Sequence, residues 1–364
     1  MVTTLTKEPD AETPTSTGRR PGMLFRLILV SVALFLSLGF GEVAVRIAAP
    51  QPPSWLDVYR RHPVLDTYAL LAGVEREVET GEAKWRVVTD ENGFRVSTPR
   101  IVGGPRTLVL GDSFTFGQGV NHEDSFVARL QEQAGLKATY VNAGVPGYGP
   151  IQYHQIAEYL LSTIPDVKLL IIATYVGNDF HDCLWKAESN VVDGILGNRG
   201  DVRSFIKRHS HLYRLVSKIY QRIAPKPNDA FAFREKMYVA KNWEEGFLKL
   251  ARERFQGELE AIARLCDAKR VPLVVVVIPT REAVDAARAA DKGEPPPSEK
   301  DPRRPIEIAS SVLSEFGIRF LDLTPGLSSR ESKNIYFEHD GHFTPEGHKL
   351  AAEFIANQLA DVPN

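Results

Sequence analysis

Two cysteines, Cys183 and Cys266, are all that 364 residues contain. So few and so far apart, they define no disulfide framework and no metal-ligand spacing. They read as two unpaired thiols, with a single bridge in an oxidising compartment as the alternative. The histidines and carboxylates also lack the close helical spacing of a zinc site, so no metal and no cofactor is called for. Excess charge is missing too: 44 Lys and Arg stand against 46 Asp and Glu, a formal net charge of −2. No global positive field suggests a nucleic-acid partner. The glycines at 111, 117 and 119 fit neither the dinucleotide pattern nor a P-loop with its lysine. No internal repeat is visible. What the chain does have is one long apolar run and four short motifs.

The apolar run, residues 27–41, has fifteen residues without a charge, preceded by Arg19, Arg20 and Arg26 and followed by Glu42 and Arg46. Extended by its apolar flanks to residues 23–47, it is long enough to span a bilayer if Arg26 and Glu42 reach the interfaces. We read it as an uncleaved transmembrane signal anchor. Basic residues on its N-terminal side place a polar, disordered tail (1–22) in the cytoplasm and the rest of the chain outside, periplasmic or extracellular. A signal cleaved near Ala48-Ala49 is the competing reading, and a buried core helix a third.

Residues 48–104 form a connecting and edge region in which Pro50, Pro52, Pro53 and Pro63 break regular structure. A strand is expected at 85–89 and a turn at Asn92-Gly93. From 105 to 360, apolar strands (107–110, 138–141, 169–175, 271–278, 319–321) alternate with helices (125–134, 151–162, 244–268, 305–316, 345–359). That alternation predicts an α/β three-layer sandwich around a mostly parallel sheet. Residues 181–242 interrupt it, basic and aromatic in places, and read as a helical insertion over the sheet edge that carries the motifs. A charged, proline-rich stretch, 284–305, reads as a loop.

The motifs lie where strands end. Leu108-Val109-Leu110 runs into Gly111-Asp112-Ser113-Phe114-Thr115, which puts Ser113 at a strand's carboxyl end, the edge where α/β sheets collect reacting groups. Asn142-Ala143-Gly144-Val145-Pro146-Gly147 follows the next strand, and Gly177-Asn178-Asp179 the one after. Asp340-Gly341-His342 precedes the last helix. Serine is a poor nucleophile at neutral pH, so it needs a histidine to take its proton and return it to the leaving group. A carboxylate on the far ring nitrogen fixes the tautomer, and fixed donors stabilise the oxyanion. Asp112 and Thr115 are expected to cap the helix after Ser113, and Asp179 to organise its loop. Of the other histidines, His348 is the alternative base, and His122 and the rest read as surface or cap residues. The Gly-x-Ser-x-Gly elbow of α/β-hydrolases is absent around Ser113.

These four blocks, in this order across roughly residues 104–360, resemble the SGNH (GDSL-type) esterase and lipase superfamily, here as a membrane-anchored bacterial-type member. The resemblance implies Ser113 as nucleophile, His342 as general base and Asp340 as its orienting carboxylate. The backbone N–H groups of Ser113 and Gly147 and the side-chain amide of Asn178 would form the oxyanion hole, with Gly144 as the alternative to Gly147. The family usually separates its Asp and His by two residues, whereas only Gly341 stands between them here. The expected activity is serine-dependent cleavage of an acyl ester through an acyl-enzyme, on a small-molecule or carbohydrate ester. O-acyl transfer to a polysaccharide hydroxyl is the close rival, and a lipid esterase or thioesterase the next. A non-catalytic binding protein on the same fold is the reading from a different class.

Overall fold

The computed structural model describes residues 22–51, 56–80, 82–97, 102–184, 190–192, 194–197, 202–223, 229–294 and 299–359. The expected tail, residues 1–21, lies outside them. The chain begins with helix α1 (Met23–Ala48), which has no buried residue. At 1.5 Å per residue it is about 39 Å long, more than the hydrocarbon core of a bilayer. By length and composition it is able to cross a membrane. The edge region folds as two antiparallel hairpins, β1 (Tyr59–Arg61) with β2 (Tyr68–Leu70) and β3 (Glu75–Glu79) with β4 (Lys84–Val88). The strand expected at 85–89 is β4. The Asn92-Gly93 turn forms as read, with Asp90 accepting from the Asn92 and Phe94 N–H groups.

The α/β region then runs β5 (Arg106–Gly111), α2 (Ser113–Phe116), α3 (Phe126–Ala134), β6 (Thr139–Asn142), α4 (Pro150–Thr163), β7 (Val167–Tyr175) and α5 (Asp179–Asp182). The insertion holds a two-stranded hairpin, β8 (Val191–Val192) and β9 (Ile195–Leu196). Helices α6 (Val202–His209), α7 (His211–Ile223) and α8 (Asp229–Met237) follow. The frame resumes with α9 (Gly246–Lys269), β10 (Leu273–Ile278), α10 (Arg281–Asp291), α11 (Arg304–Glu315) and β11 (Phe320–Asp322). It closes with α12 (Thr324–Ser328), α13 (Ser332–Ile335) and α14 (Pro345–Leu359).

Five strands form one parallel sheet in the order β11-β10-β7-β5-β6. A sheet covered on both faces reads as continuous apolar sequence, which is why 274–277 is an unbroken run of valine. Successive side chains still alternate between faces. Leu108, Leu170, Ile172, Val275 and Val277 pack on one side with Ala157 of α4, Phe255 and Leu259 of α9 and Ala309 of α11. Val109, Ile171, Val274, Val276 and Ile278 pack on the other with Phe126 and Leu130 of α3 and Ala351 and Ile355 of α14. This is the three-layer arrangement expected from the alternation. It places the ends of β5, β6 and β7 side by side.

Two expectations change. The stretch read as a loop from 284 holds most of helix α10, whose N-terminus Thr280 caps by accepting from the Ala283 N–H. Alanine, arginine and glutamate in Arg281–Asp291 outweigh the prolines, which begin only at 295, outside the described residues. The middle helices of the insertion lie against α1: Ser210 Oγ and the His211 and Leu212 N–H groups donate to the Glu42 carboxylate at 2.8 to 3.0 Å. Cys183 and Cys266 are both buried and unpaired.

Candidate active site

Strand β5 delivers Ser113 to the sheet edge as the first residue of the four-residue helix α2. Asp112 stops the strand by capping that helix, its carboxylate accepting from the Phe114 N–H at 2.8 Å. The capping role read from the sequence is present. Thr115 does not cap: it is buried, and its hydroxyl has no partner among the described residues. After α2 the chain turns through Gly117 and Gly119, both at positive φ. At Gly119 a Cβ would lie 2.6 Å from the Phe337 ring, so the loop bearing the histidine can approach this closely only over a glycine.

That loop spans the gap between α13 and α14. Phe337 N–H donates to the His342 carbonyl (2.8 Å) and Gly341 N–H to the Phe337 carbonyl (3.1 Å), a closed turn with Gly341 at φ +80°. The turn brings His342 Nε2 to 2.7 Å from Ser113 Oγ, while His342 Nδ1 hydrogen-bonds Asp340 Oδ1. The one-residue Asp-Gly-His spacing therefore suffices, because the left-handed glycine folds the carboxylate back onto the ring. Burial works against the Asp340 charge, but hydrogen bonds from His342 and Gln118 hold its carboxyl below the usual range. Gln118 Nε2 lies 3.5 Å from both Asp340 Oδ2 and His342 Nδ1.

Three groups separated from this loop in sequence brace it. Glu82, between β3 and β4, accepts from the His339 and Asp340 N–H groups at 2.7 to 3.0 Å. The Arg281 guanidinium donates to the Phe337 and Glu338 carbonyls. Arg95 is fully buried and donates to the Phe116, Gly117, Val120 and Arg86 carbonyls, fixing the turn that carries Gln118. Burial pushes the Arg95 guanidinium down to about 9, against the favourable charge of Glu123. Sequence reasoning missed Glu82, Gln118, Arg281 and Arg95.

The remaining motif residues gather around Asp112. Asn178, at the end of β7, donates from Nδ2 to Asp112 Oδ2 at 3.4 Å. Burial raises the Asp112 carboxyl to about 6, although the Phe114 N–H and the Asn178 amide favour its charge. Asp179 organises its loop as read, buried and accepting from Thr174 Oγ1 (2.5 Å), Tyr175 N–H (3.0 Å) and Tyr153 Oη (3.1 Å). In the glycine loop, Gly144 N–H donates to Asn142 Oδ1 at 3.1 Å, and a Cβ there would lie 2.4 Å from the Phe116 nitrogen. Gly144 is thus used in packing the loop on α2. Gly147, at φ +83°, has no acceptor for its N–H among the described residues. A concavity of about 620 Å³ borders the far side of this loop, lined by Arg60, Tyr148 and Tyr159 but not by Ser113.

Neither His348 nor His122 is a surface residue. His348 Nδ1 accepts from the Phe126 N–H at 3.3 Å. Burial and the charge of Arg95 push the His348 imidazole down to about 3, and burial with the same arginine holds His122 well below its ordinary value. Unfolded imidazoles take up a proton near pH 6.5, so below that pH the unfolded chain binds more protons than the folded one. Stability is lost as pH falls from about 6.5 toward the folded values, by up to about 1.4 kcal/mol per pH unit for each ring. Asp112, with its raised value, acts in the opposite sense between about pH 6 and 4. The diagnostic is therefore a difference: His348→Gln is expected to flatten the acid side of the melting temperature against pH relative to the unsubstituted chain. Parallel curves would show that His348 is not kept neutral by the fold.

Residues 238–364, which include Asp340 and His342, match a family model described as SGNH hydrolase-like domain, acetyltransferase AlgX. A search of curated proteins gives no match. Similar solved structures include a member of the lipolytic protein G-D-S-L family from Veillonella parvula, 13% identical, covering 71% of this chain and 100% of that one, TM-score 0.40. Another is a mutant of an acetyl-xylooligosaccharide esterase from Geobacillus Stearmophilus, 13% identical over 71% of this chain and 95% of that one, TM-score 0.40. A third is the psychrotrophic esterase EstA from Pseudoalteromonas sp., 11% identical over 70% and 96%, TM-score 0.38.

Proposed function

We propose that this chain is a serine-dependent enzyme that cleaves an acyl ester through an acyl-enzyme. One observation carries the reading: Ser113 Oγ, His342 and Asp340 form a continuous hydrogen-bonded chain at the sheet edge. His342 takes the Ser113 proton as the oxygen attacks the ester carbonyl, then returns it to the departing alkoxide. Asp340 holds Nδ1–H and stabilises the imidazolium. The N–H groups of Ser113 and Gly147, with no acceptor for either among the described residues, are the backbone donors to the oxyanion. Asn178 supplies the third: Asp112 accepts one of its amide hydrogens, which fixes the plane of the amide and leaves the second to donate. Water then repeats the attack and frees the enzyme.

Helix α1 is the membrane anchor in this reading, with the α/β domain outside the cytoplasm and an O-acyl carbohydrate as the ester. A second reading, transfer of the acyl group to a sugar hydroxyl, is favoured by the acetyltransferase description of the matching family model. Both routes share the acyl-enzyme, so the test is what consumes it. The full-length chain is incubated with an aryl acetate, with and without an oligosaccharide acceptor, and the products are weighed by mass spectrometry. Free acetate in both arms is the expected result for an esterase. Acetylated oligosaccharide at the expense of acetate would establish the transferase, and no acyl release in either arm would overturn the enzyme.

A further inference from the structure

Helices α6 and α7 leave an apolar stripe uncovered. On α7, Val216, Ile219 and Tyr220 follow the i, i+3, i+4 spacing of one helical face and are 55%, 48% and 57% exposed. On α6, Val202, Phe205 and Ile206 repeat the spacing at 69%, 63% and 40%. The charged residues are of one sign: from 202 to 223 the sequence has six Lys and Arg and no Asp or Glu. A basic helix with one strongly apolar face is the composition of a segment that lies in the plane of a membrane surface.

The contacts with α1 set the depth. Glu42 is the first charged residue after the apolar run 27–41, so in a spanning helix it marks the interface. Its carboxylate caps the start of α7 through the His211 and Leu212 N–H groups, and binds Ser210 Oγ. One turn later, Arg46 Nη2 donates to the His209 carbonyl at the end of α6 (2.6 Å), and Gln51 N–H donates to His211 Nδ1 (2.9 Å). The corner between the two basic helices is therefore held at the level where α1 leaves the hydrocarbon.

We propose that α6 and α7 form a second membrane contact, lying in the outer interface of the bilayer with the stripe 202/205/206 and 216/219/220 inserted among acyl chains and Lys218, on the opposite face of α7, at anionic headgroups. The proposal rests on the reading of α1 as a membrane anchor. It makes the α/β domain a body held to the lipid at two points, with less freedom to rotate than one hanging from a single helix.

The test uses the full-length chain in vesicles containing phosphatidylglycerol, with nitroxide labels on Phe205→Cys, Ile219→Cys, Lys218→Cys and Leu34→Cys, one at a time. Cys183 and Cys266 are buried and stay in place. Labels at 205 and 219 are expected to match the Leu34 label, relaxed severalfold more by oxygen than by an aqueous nickel chelate, and the Lys218 label to show the reverse. Water-accessible labels at 205 and 219 beside a lipid-accessible label at 34 would overturn the proposal and leave the anchor standing. A water-accessible label at 34 would remove the anchor and the proposal together. Dipolar broadening at 219 that disappears on dilution with unlabelled chain would assign the stripe to a second copy and overturn it as well.

Discussion

Ser113→Ala is expected to lower kcat/KM for an aryl ester by on the order of 10^5-fold, with the melting temperature unchanged. In the proposed mechanism the covalent bond forms at this oxygen, and Ser113 is part-buried at a helix start where alanine fits without strain. His342→Ala should fall as far, because the two act as one unit and removing either disables both. Asp340→Asn should lose about 10^4-fold while still binding ester: the amide keeps the shape of the turn but favours the wrong ring tautomer. His348→Ala separates the alternatives. Its ring is buried against Phe126 and makes no hydrogen bond to Ser113 among the described residues, so the loss should appear in stability, with kcat of the folded fraction little changed. A fluorophosphonate probe should label Ser113 alone. Labelling at another serine, or full activity in Ser113→Ala, would remove the acyl-enzyme from this site.

Arg95→Met is the second large effect, and it is a loss of structure. One guanidinium satisfies the carbonyls of Phe116, Gly117, Val120 and Arg86 in a dry interior. Taking it away strands four acceptors at about 1–3 kcal/mol each, less whatever water recovers, for a net cost on the order of 4 kcal/mol. In a chain of this size that is a fall of about 5 °C in melting temperature. Arg95→Lys should recover little, since a single ammonium cannot span acceptors spread over a whole turn. Activity should drop beyond the unfolded fraction, because the same turn carries Gln118 to the Asp340 carboxylate. The measurement is a denaturation midpoint alongside kcat for each variant. Wild-type stability in Arg95→Met would mean that the four carbonyls reach other donors.

The sheet was readable because its strands are buried on both faces and written as uninterrupted apolar runs. The serine, asparagine and histidine motifs were readable because each sits within a few residues of a strand end or a helix start, where local sequence controls direction. Gly147 and Gly144 could not be separated by sequence, since both follow the same strand. In the structure the Gly144 N–H is already engaged with Asn142 Oδ1. The bracing groups left no trace of that kind. Arg95 follows an ordinary turn, and nothing near it signals that its charge will be spent on backbone carbonyls. His122 looked like a surface or cap residue because a lone histidine carries no sign of its burial. The helix at 281–291 was hidden by the prolines beyond it, which dominated the composition of the segment.

Glu82 bears on how much of the chain the candidate site needs. All four motifs lie beyond residue 104, so a fragment starting there would look complete by its sequence. It would lack the one carboxylate that ties the backbone on either side of the His339–Asp340 peptide, a contact made across 258 positions. Freed of it, the loop bearing Asp340 and His342 would sample many poses, and the serine would meet its base only part of the time. Such a fragment would also lose Arg95 and the buried Tyr68, Trp85 and Val87, so it is expected to be destabilised as well as sluggish toward small activated esters. The β3–β4 hairpin belongs to the catalytic unit, and expression boundaries should be drawn before it.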